Sequence, residues 1–168
     1  YYIVVEPADP GQEDSPFDLA ISCGCPCQDE GKLIDASQPP PYQDSGNTAD
    51  FENRFGQYDG LPGRDLSAPE AIYRLLLPND CPAYNVFISA TNLTYENAYL
   101  IVLPSCQDTQ CGENYDHVSE MQSYIELGIS GPGGEDYFII IDGLVPEGGL
   151  PEESTTSFDL QVWWECVE

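Results

Sequence analysis

Apolar and polar residues alternate along much of this chain, which is the period-two pattern of half-buried β-strands. Between residues 158 and 164 the even positions are apolar, and polar residues stand at 159 and 161. Residues 124–129 and 84–90 alternate in the same way. No stretch has the periodicity of a persuasive amphipathic helix, so the pattern predicts an all-β chain.

Three further segments are apolar on both faces. They are AIYRLLL (71–77), AYLIVL (98–103) and YFIII (137–141). Strands of this kind lie deep in a sandwich, or are covered by a loop or a neighbour. Clusters of Gly, Pro, Asn and Asp at 78–80, 131–134 and 148–149 separate the strands. The predicted architecture is a β-sandwich with elaborate loops.

Two pairs of segments along the chain look alike, which indicates an internal repeat. YYIVVE followed by FDLAIS resembles YFIIID followed by FDLQVW. Chance similarity is one interpretation; the other, which we favour, is that residues 1–23 are the last two strands of an earlier unit. Residues 24–63 are rich in Pro, Gly, Gln and Asp, as linkers and irregular segments are. The expected division is a strand pair at 1–23, a Pro/Gly/Cys-rich linker at 24–45 and a β-sandwich domain at 46–168.

The charge of the chain narrows the classes of partner. Thirty acidic and four basic residues among 168 give a net charge of −26, which excludes nucleic acid and anionic membrane surfaces. So large a charge needs cations, basic partners or a saline or acidic setting to offset its self-repulsion. No apolar run reaches the length of a membrane span, so membrane insertion is not expected. Because the chain starts at Tyr1 without a signal peptide, we expect it to be processed or cut from something larger.

Four short motifs follow one another along residues 46–166. They are Gly46 with Thr48, Pro69 and Glu70 with Tyr73, Ser105 with Cys106, and the strand 137–143. In this order they resemble the pre-peptidase C-terminal domain family of bacterial secreted and cell-surface proteins, with residues 1–23 as a truncated copy. The resemblance implies an antiparallel jelly-roll-like β-sandwich that is extracellular and serves as an accessory or structural unit rather than as a catalyst.

Seven cysteines, an odd number, predict disulfides plus a leftover thiol or an intermolecular bridge in a secreted chain. Cys106 and Cys111 are close enough in sequence for a local bridge. Cys81 follows one predicted strand and Cys166 ends another, so a disulfide between them could link the edge of the sandwich. Three more cysteines stand in the segment CGCPC, where bridges to a preceding unit are favoured over a metal thiolate site, because no second ligand pair has zinc-type spacing. These three are Cys23, Cys25 and Cys27.

The acidic residues offer one candidate cation site. Glu135, Asp136 and Asp142 could join loop acids at one end of the sandwich to bind Ca²⁺, which takes several oxygen ligands. A solvated acidic surface is the other interpretation, and no EF-hand loop is present. We therefore expect no required cofactor and regard Ca²⁺ as an optional one.

The sequence contains no recognisable catalytic constellation. His117 is the only histidine, so a Ser-His-Asp or Cys-His arrangement would have to use it. Its neighbours show no G-x-S-x-G or comparable signature, and no pair of acids stands out for glycoside hydrolysis. We predict a loop histidine without a catalytic role, no catalytic residues, and a chain that is not an enzyme.

Two surface residues are candidates for modification or contact. Asn92, Leu93 and Thr94 form an N-glycosylation sequon in a predicted connecting loop. Trp163 lies on the polar face of the last strand, beside Trp164, which the alternation predicts to be buried. An outward indole is a contact for a sugar or a neighbouring subunit, unless the chain's own linker covers it.

The predicted function is that of a non-catalytic, extracellular or cell-surface structural or adhesive unit. It would be one repeat of a tandem array or filament, joined to other copies or neighbouring repeats by strand addition and disulfides. The alternative is an accessory module of a secreted hydrolase that binds protein or polysaccharide, with or without Ca²⁺. The predicted assembly contacts are Trp163 and the doubly apolar start of the chain: Tyr1, Tyr2, Ile3, Val4 and Val5.

Overall fold

Nine strands and two short 3-10 helices make up the part of the chain that the structure describes. The computed structural model describes residues 31–54, 64–94, 98–103 and 136–167, and the backbone of 114–117 and 123–130. The strands are β1 (Lys32–Asp35), β2 (Tyr42–Asn47), β3 (Ala71–Leu76), β4 (Ala83–Thr91), β5 (Ala98–Leu103), β6 (Asn114–His117), β7 (Ser123–Ser130), β8 (Asp136–Gly143) and β9 (Ser157–Cys166). The helices are Thr48–Asp50 and Pro151–Glu153. No helix in the described ranges is long and apolar enough to cross a membrane.

The strands form two sheets. The first sheet has the order β1-β3-β8-β5-β6, and the second sheet has the order β2-β9-β4-β7. Described strands pair antiparallel except β1, which runs parallel to β3. With β1 set aside, the remaining eight strands have the order of a jelly roll. The predicted all-β sandwich is confirmed, and β1 is an addition to it.

The second sheet buries one face, as the alternation along its strands predicts. In β9 the side chains of Phe158, Leu160, Val162 and Trp164 are buried, and their neighbours in sequence point outward. In β4 the buried positions also alternate, beginning with Tyr84. These inward side chains pack against the first sheet in one hydrophobic core.

The first sheet is apolar on both faces, which confirms the deep position predicted for its central strands. Tyr73, Leu100 and Ile139 belong to the core between the sheets. Their neighbours Ile101 and Ile140 belong to a second buried cluster on the opposite face of the sheet. Both faces of β3, β5 and β8 are therefore removed from water, which explains why these three strands lack polar alternation.

The predicted linker is wrong over residues 32–45, because β1 and the start of β2 belong to the sandwich. Ile34 of β1 is fully buried in the main core. The carbonyl of Ala36, just after β1, accepts a hydrogen bond from the indole nitrogen of Trp164 at 3.1 Å. The predicted strand pair at 1–23 and residues 24–30 lie outside the described residues.

Gly143 at the end of β8 lets two backbone segments approach closely. A Cβ atom at this position would lie 1.9 Å from the carbonyl oxygen of Ser154. Only glycine fits without moving the backbone. The glycine that ends the strand motif at 137–143 therefore has a packing role.

Candidate functional site

The outer face of the second sheet carries a partly exposed indole on the interior strand β9. Trp163 is 43% exposed, whereas Trp164, the next residue in β9, is 6% exposed and points into the core. The register places Phe87 of β4 directly opposite Trp163, and Phe87 is half-buried. Residues directly opposite in an antiparallel pair face the same side of the sheet. Two aromatic side chains therefore share this face.

A row of uncharged polar side chains follows the aromatic pair along the same strands. Gln161 of β9 lies opposite Gln43 of β2 on one side and opposite Ser89 of β4 on the other. Both glutamine side chains are exposed, and with Ser89 they line a hollow of about 310 Å³. This row is two residues from Trp163, which corresponds to about 7 Å along a strand. We call the outward surface of these strands the aromatic–amide face: Gln43, Ser45, Asn85, Phe87, Ser89, Asp159, Gln161, Trp163 and Glu165.

The two carboxylates on this face are held by uncharged neighbours. Asp159 accepts a hydrogen bond from the Ser45 hydroxyl at 2.6 Å and another from the Asn92 amide. These two bonds, the first being the stronger cause, lower the pKa of Asp159 below its ordinary value. Glu165 accepts a hydrogen bond from the Asn85 amide at 3.1 Å. The four strands of the second sheet contain no Lys, Arg or His, so the face is acidic at neutral pH.

The lateral edge of the sandwich is closed by a small polar cluster. Asp44 of β2 accepts hydrogen bonds from Lys32 of β1 at 2.5 Å and from the Tyr73 hydroxyl of β3 at 2.7 Å. The Lys32 ammonium also lies 5.8 Å from the centre of the Tyr73 ring. The cluster joins strands of both sheets, and its groups all bond one another. Its role is therefore structural.

A second hollow of about 230 Å³ lies beside Glu70. Glu70 is buried, and its carboxylate accepts a hydrogen bond from the backbone nitrogen of Arg54 at 2.5 Å. The Arg54 guanidinium pairs with Glu52 at 3.1 Å. Glu70, a residue of the family-like motif, thus fixes the chain segment after the first 3-10 helix.

A disulfide links Cys81 and Cys166, the pair that the sequence suggested as a bridge at the edge of the sandwich. The disulfide links residues 85 positions apart, with Cα atoms 5.8 Å from each other. It connects the start of the β4 region to the end of β9. The other cysteine candidates lie outside the described residues: Cys23, Cys25, Cys27, Cys106 and Cys111.

The structure does not bring Asp136 and Asp142 of the candidate calcium site together. These residues lie at opposite ends of β8, so about 20 Å of extended chain separates them. One ion reaches its ligands at about 2.5 Å. Asp136 instead pairs with Arg74 at 2.6 Å, and Asp142 is buried. Glu135 lies outside the described residues, among which no group of three His, Cys, Asp or Glu could hold a metal ion.

The predicted loop position of His117 is wrong. His117 is the last residue of β6, and the register places it opposite Tyr99 of β5. The short β6 strand carries no apolar alternation, so the pattern did not reveal it. The absence of a catalytic role for His117 stays a prediction.

The sequon residues hold a turn between β4 and β5. Asn92 is exposed and has a φ of 55°, and its side-chain amide donates to Asp159. The Thr94 hydroxyl accepts a hydrogen bond from the backbone nitrogen of Ser157 at 2.9 Å. The sequon thus has a structural use in the folded chain, and glycosylation at Asn92 stays a prediction.

Trp163 is exposed, as the alternation predicts, and its role as an assembly contact stays a prediction. Tyr1, Tyr2, Ile3, Val4 and Val5 lie outside the described residues. The sequence alone did not single out Gln43, Gln161 or Phe87, because only the register between β2, β9 and β4 brings them beside Trp163. The signal in the sequence was Trp163 itself, which stands among the polar, outward positions of the last strand.

No protein-family model matches this chain, and no curated protein sequence does. Among solved structures it is similar to the pre-peptidase C-terminal domain of collagenase from Bacillus anthracis, at 14% identity over 80% of this chain and 95% of that chain, with a TM-score of 0.43. It is also similar to PliG, a periplasmic lysozyme inhibitor of g-type lysozyme. The Aeromonas hydrophila protein is 15% identical over 81% of this chain and 100% of that chain, with a TM-score of 0.42. The Salmonella Typhimurium protein is 12% identical over 81% of this chain and 100% of that chain, with a TM-score of 0.39. Similarities this low carry no conclusion about function, which depends on this chain's own residues.

Proposed function

We propose that this chain is a non-catalytic, extracellular adhesive domain that holds its partner on the aromatic–amide face. The observation that carries the proposal is the exposure of Trp163 in β9, an interior strand of the second sheet. Exposed indoles on an otherwise polar face are typical of contact surfaces, since Trp is enriched among the residues that dominate binding.

The extracellular location is supported by the Cys81–Cys166 disulfide. Disulfides persist in oxidising compartments and are rare in the cytosol. The net charge of −26 also favours a neutral or basic partner over nucleic acid or an anionic lipid surface.

The absence of catalysis is supported by the composition of the aromatic–amide face. The four strands of the second sheet contain no histidine, and their one cysteine, Cys166, is in the disulfide. This face therefore lacks the Ser-His and Cys-His pairs of nucleophilic catalysis. Asp159 and Glu165 are six residues apart along β9 and are bonded to neighbouring amides.

Membership of the pre-peptidase C-terminal family is part of the proposal. The order of the motifs in the sequence supports it, and so do the positions of the motif residues in the sandwich. Tyr73 is buried in the core, and Gly143 packs against Ser154. Thr48 exchanges hydrogen bonds with Thr156 at 2.9 Å. Motif residues of this kind maintain the fold, and a partner would be bound by other residues on the surface.

A second candidate function is assembly of copies into a tandem array or filament. The doubly apolar segment at residues 1–6 favours it, because such a strand needs a sheet to join. Repulsion between copies of charge −26 opposes this assembly unless cations screen it. An accessory role in a secreted hydrolase would use the aromatic–amide face instead.

The proposal is tested by retention of the full 168-residue chain on insoluble chitin, cellulose, xylan, collagen and immobilised copies of itself. Trp163→Ala removes the indole, and Leu33→Ala is the matched control because it shortens an exposed apolar side chain elsewhere. We expect at least one material to retain the wild type and Leu33→Ala, with a loss of about tenfold or more in Trp163→Ala. Retention by none of them, or equal retention of both variants, would overturn the proposal. Repeating the assay in EDTA tests the optional role of Ca²⁺.

A further inference from the structure

We propose that the partner on the aromatic–amide face is a neutral polysaccharide chain, an inference that rests on the proposed function. One sugar ring would stack on Trp163, and the hydroxyls of its neighbour would reach Gln161 and Gln43. The juxtaposition of an exposed indole and a row of exposed amides on adjacent strands is what assigns this ligand class.

The indole supplies the apolar part of the contact. The face of an aromatic ring is the negative side of its quadrupole. A pyranose ring presents a face of polarised C–H groups, which are weakly positive and complement the indole. Phe87, directly opposite Trp163 in β4, extends the same apolar surface by one strand, so the surface is wide enough for a ring to lie flat.

The glutamines supply the polar part of the contact. A Gln side chain both donates and accepts hydrogen bonds, and sugar hydroxyls do the same. Gln161, Gln43 and Ser89 form a row across three strands, about 7 Å from the aromatic row. A chain of sugars that crosses both rows would satisfy apolar and polar groups together.

The charges on the face disfavour anionic partners. An anionic polysaccharide would meet strands with no Lys, Arg or His, in the field of a strongly acidic chain. A cationic peptide would find the carboxylates of Asp159 and Glu165 already bonded to neutral side chains, with Glu126 of β7 opposite Phe87 in the register. It is therefore the competing ligand class, and hexalysine serves as the control for it. The Trp163 ring and the Gln161 and Gln43 amides offer a neutral sugar both apolar and hydrogen-bonding contacts, which a purely basic partner would not use.

The shape of the face suits an internal stretch of a long chain. The outward residues from Asp159 to Glu165 span six residues of β9, or about 20 Å. Within the residues that the structure describes, the surface is an open sheet with a hollow, and no wall stands there against which the end of a chain would stop. We therefore expect longer oligosaccharides to bind more tightly than short ones.

The test is calorimetric titration of the full chain with neutral hexasaccharides: cellohexaose, xylohexaose and hexa-N-acetylchitohexaose. Hexagalacturonate and hexalysine serve as charged controls. At least one neutral hexasaccharide should bind, and more tightly than its trisaccharide, with affinity that is insensitive to salt. Trp163→Ala should weaken binding tenfold or more and Gln161→Ala severalfold, while Leu33→Ala binds as the wild type does.

The outcomes separate this inference from the proposed function. If none of the neutral hexasaccharides binds while collagen or immobilised copies are retained through Trp163, the adhesive face stands and the sugar assignment is wrong. If hexalysine binds in place of the sugars, the partner is basic and the assignment is wrong. If no material depends on Trp163, both proposals fail. The unfolding midpoint of each variant shows whether it is folded in the assay.

Discussion

The hydroxyl of Tyr73 in β3 donates a hydrogen bond to the carboxylate of Asp44 in β2, and this bond of 2.7 Å between the two oxygens joins the two sheets. Burial raises the pKa of Asp44, but hydrogen bonds from Lys32, Tyr73 and the Ser45 backbone outweigh burial, and the pKa lies below its ordinary value. Burial, and then the bond to Asp44, raises the pKa of Tyr73, so the phenol stays a donor at neutral pH. This bond ties the edge of the second sheet to the first.

The Asp44 cluster should make stability depend on acidity. Replacing Asp44 by Asn removes a charge-assisted bond and should lower the free energy of unfolding at pH 7 by about 1–3 kcal/mol. Because the pKa of Asp44 is lowered by folding, its contribution is present above the unfolded value of about 3.9. The contribution is lost as the pH falls through the lower folded value.

Urea unfolding of the wild type and Asp44→Asn at pH 7, 5 and 3 measures this contribution. The difference between the two proteins should be full at pH 7 and 5 and should shrink at pH 3. Tyr73→Phe, which keeps the ring and removes only the hydroxyl, should lose part of the same contribution at pH 7. A difference between the wild type and Asp44→Asn that is constant across the three pH values would show that the carboxylate is not stabilised by this cluster.

The Cys81–Cys166 disulfide should contribute strongly to stability, because it closes a loop of 85 residues in the unfolded chain. Replacing both cysteines by Ser should lower the free energy of unfolding by about 2–5 kcal/mol. The double variant is preferable to a reducing agent, since a reductant would act on all seven cysteines. A urea midpoint equal to that of the wild type would mean that the bridge does not constrain the chain.

Two glycine substitutions should lower the free energy of unfolding by different amounts. Gly143→Ala places a Cβ 1.9 Å from the Ser154 carbonyl oxygen, so the backbone must move and stability should fall by about 3 kcal/mol. Gly148 has a φ of 78° and nothing within 4 Å of a Cβ, so Gly148→Ala should cost only about 1–2 kcal/mol, through its left-handed backbone. Thermal unfolding of both variants compares them, and an equal or reversed order would mean that Gly143 is not needed for close packing.

The acidity of the chain should make its stability rise with salt. The chain has 30 acidic residues and four basic ones, and three of the basic residues form ion pairs in the described structure: Lys32–Asp44, Arg54–Glu52 and Arg74–Asp136. Raising NaCl from 0.01 to 1 M shortens the screening length from about 30 to 3 Å, which weakens self-repulsion, so Tm should increase. A flat or falling Tm contradicts this expectation. A larger increase with CaCl₂ at equal ionic strength would reveal specific cation binding in place of screening.

The central strands could be predicted from the sequence because their burial leaves a periodic signature. The alternation from Phe158 to Trp164 fixed which indole faces water, and the doubly apolar segments fixed which strands are covered on both sides. Alternation identifies strands but not their order, so the jelly-roll arrangement came only from the family resemblance.

The edge strands β1, β2 and β6 could not be predicted because they carry little apolar surface, whereas the edge strand β7 shows apolar alternation. β1 has one fully buried residue, Ile34, and β2 reads YQDSGN, whose inward Asp44 is held by Lys32 and Tyr73. A polar segment of this kind has the composition of a linker. The bonds that make it part of the sheet join residues far apart in the sequence.

The candidate sites also divide into residues that the local sequence reveals and residues that only strand pairing brings together. Trp163 was visible in the sequence, but its neighbours Phe87 and Gln43 come from two other strands and depend on register. The acids at 136 and 142 are near in sequence, yet an extended strand places them about 20 Å apart. Proximity along a strand is therefore a poor guide to a shared ion.

Hydroxyl-radical footprinting of Trp163, read residue by residue by mass spectrometry, tests the adhesive face most directly. The full chain is oxidised alone and while bound to whichever neutral hexasaccharide or insoluble material retains it. Oxidation of Trp163 should fall severalfold on binding, while exposed Leu33 and Leu150 react unchanged and buried Trp164 reacts slowly in both states. Undiminished oxidation of Trp163 in the bound chain would show that the partner lies elsewhere and that the aromatic–amide face is not the binding surface.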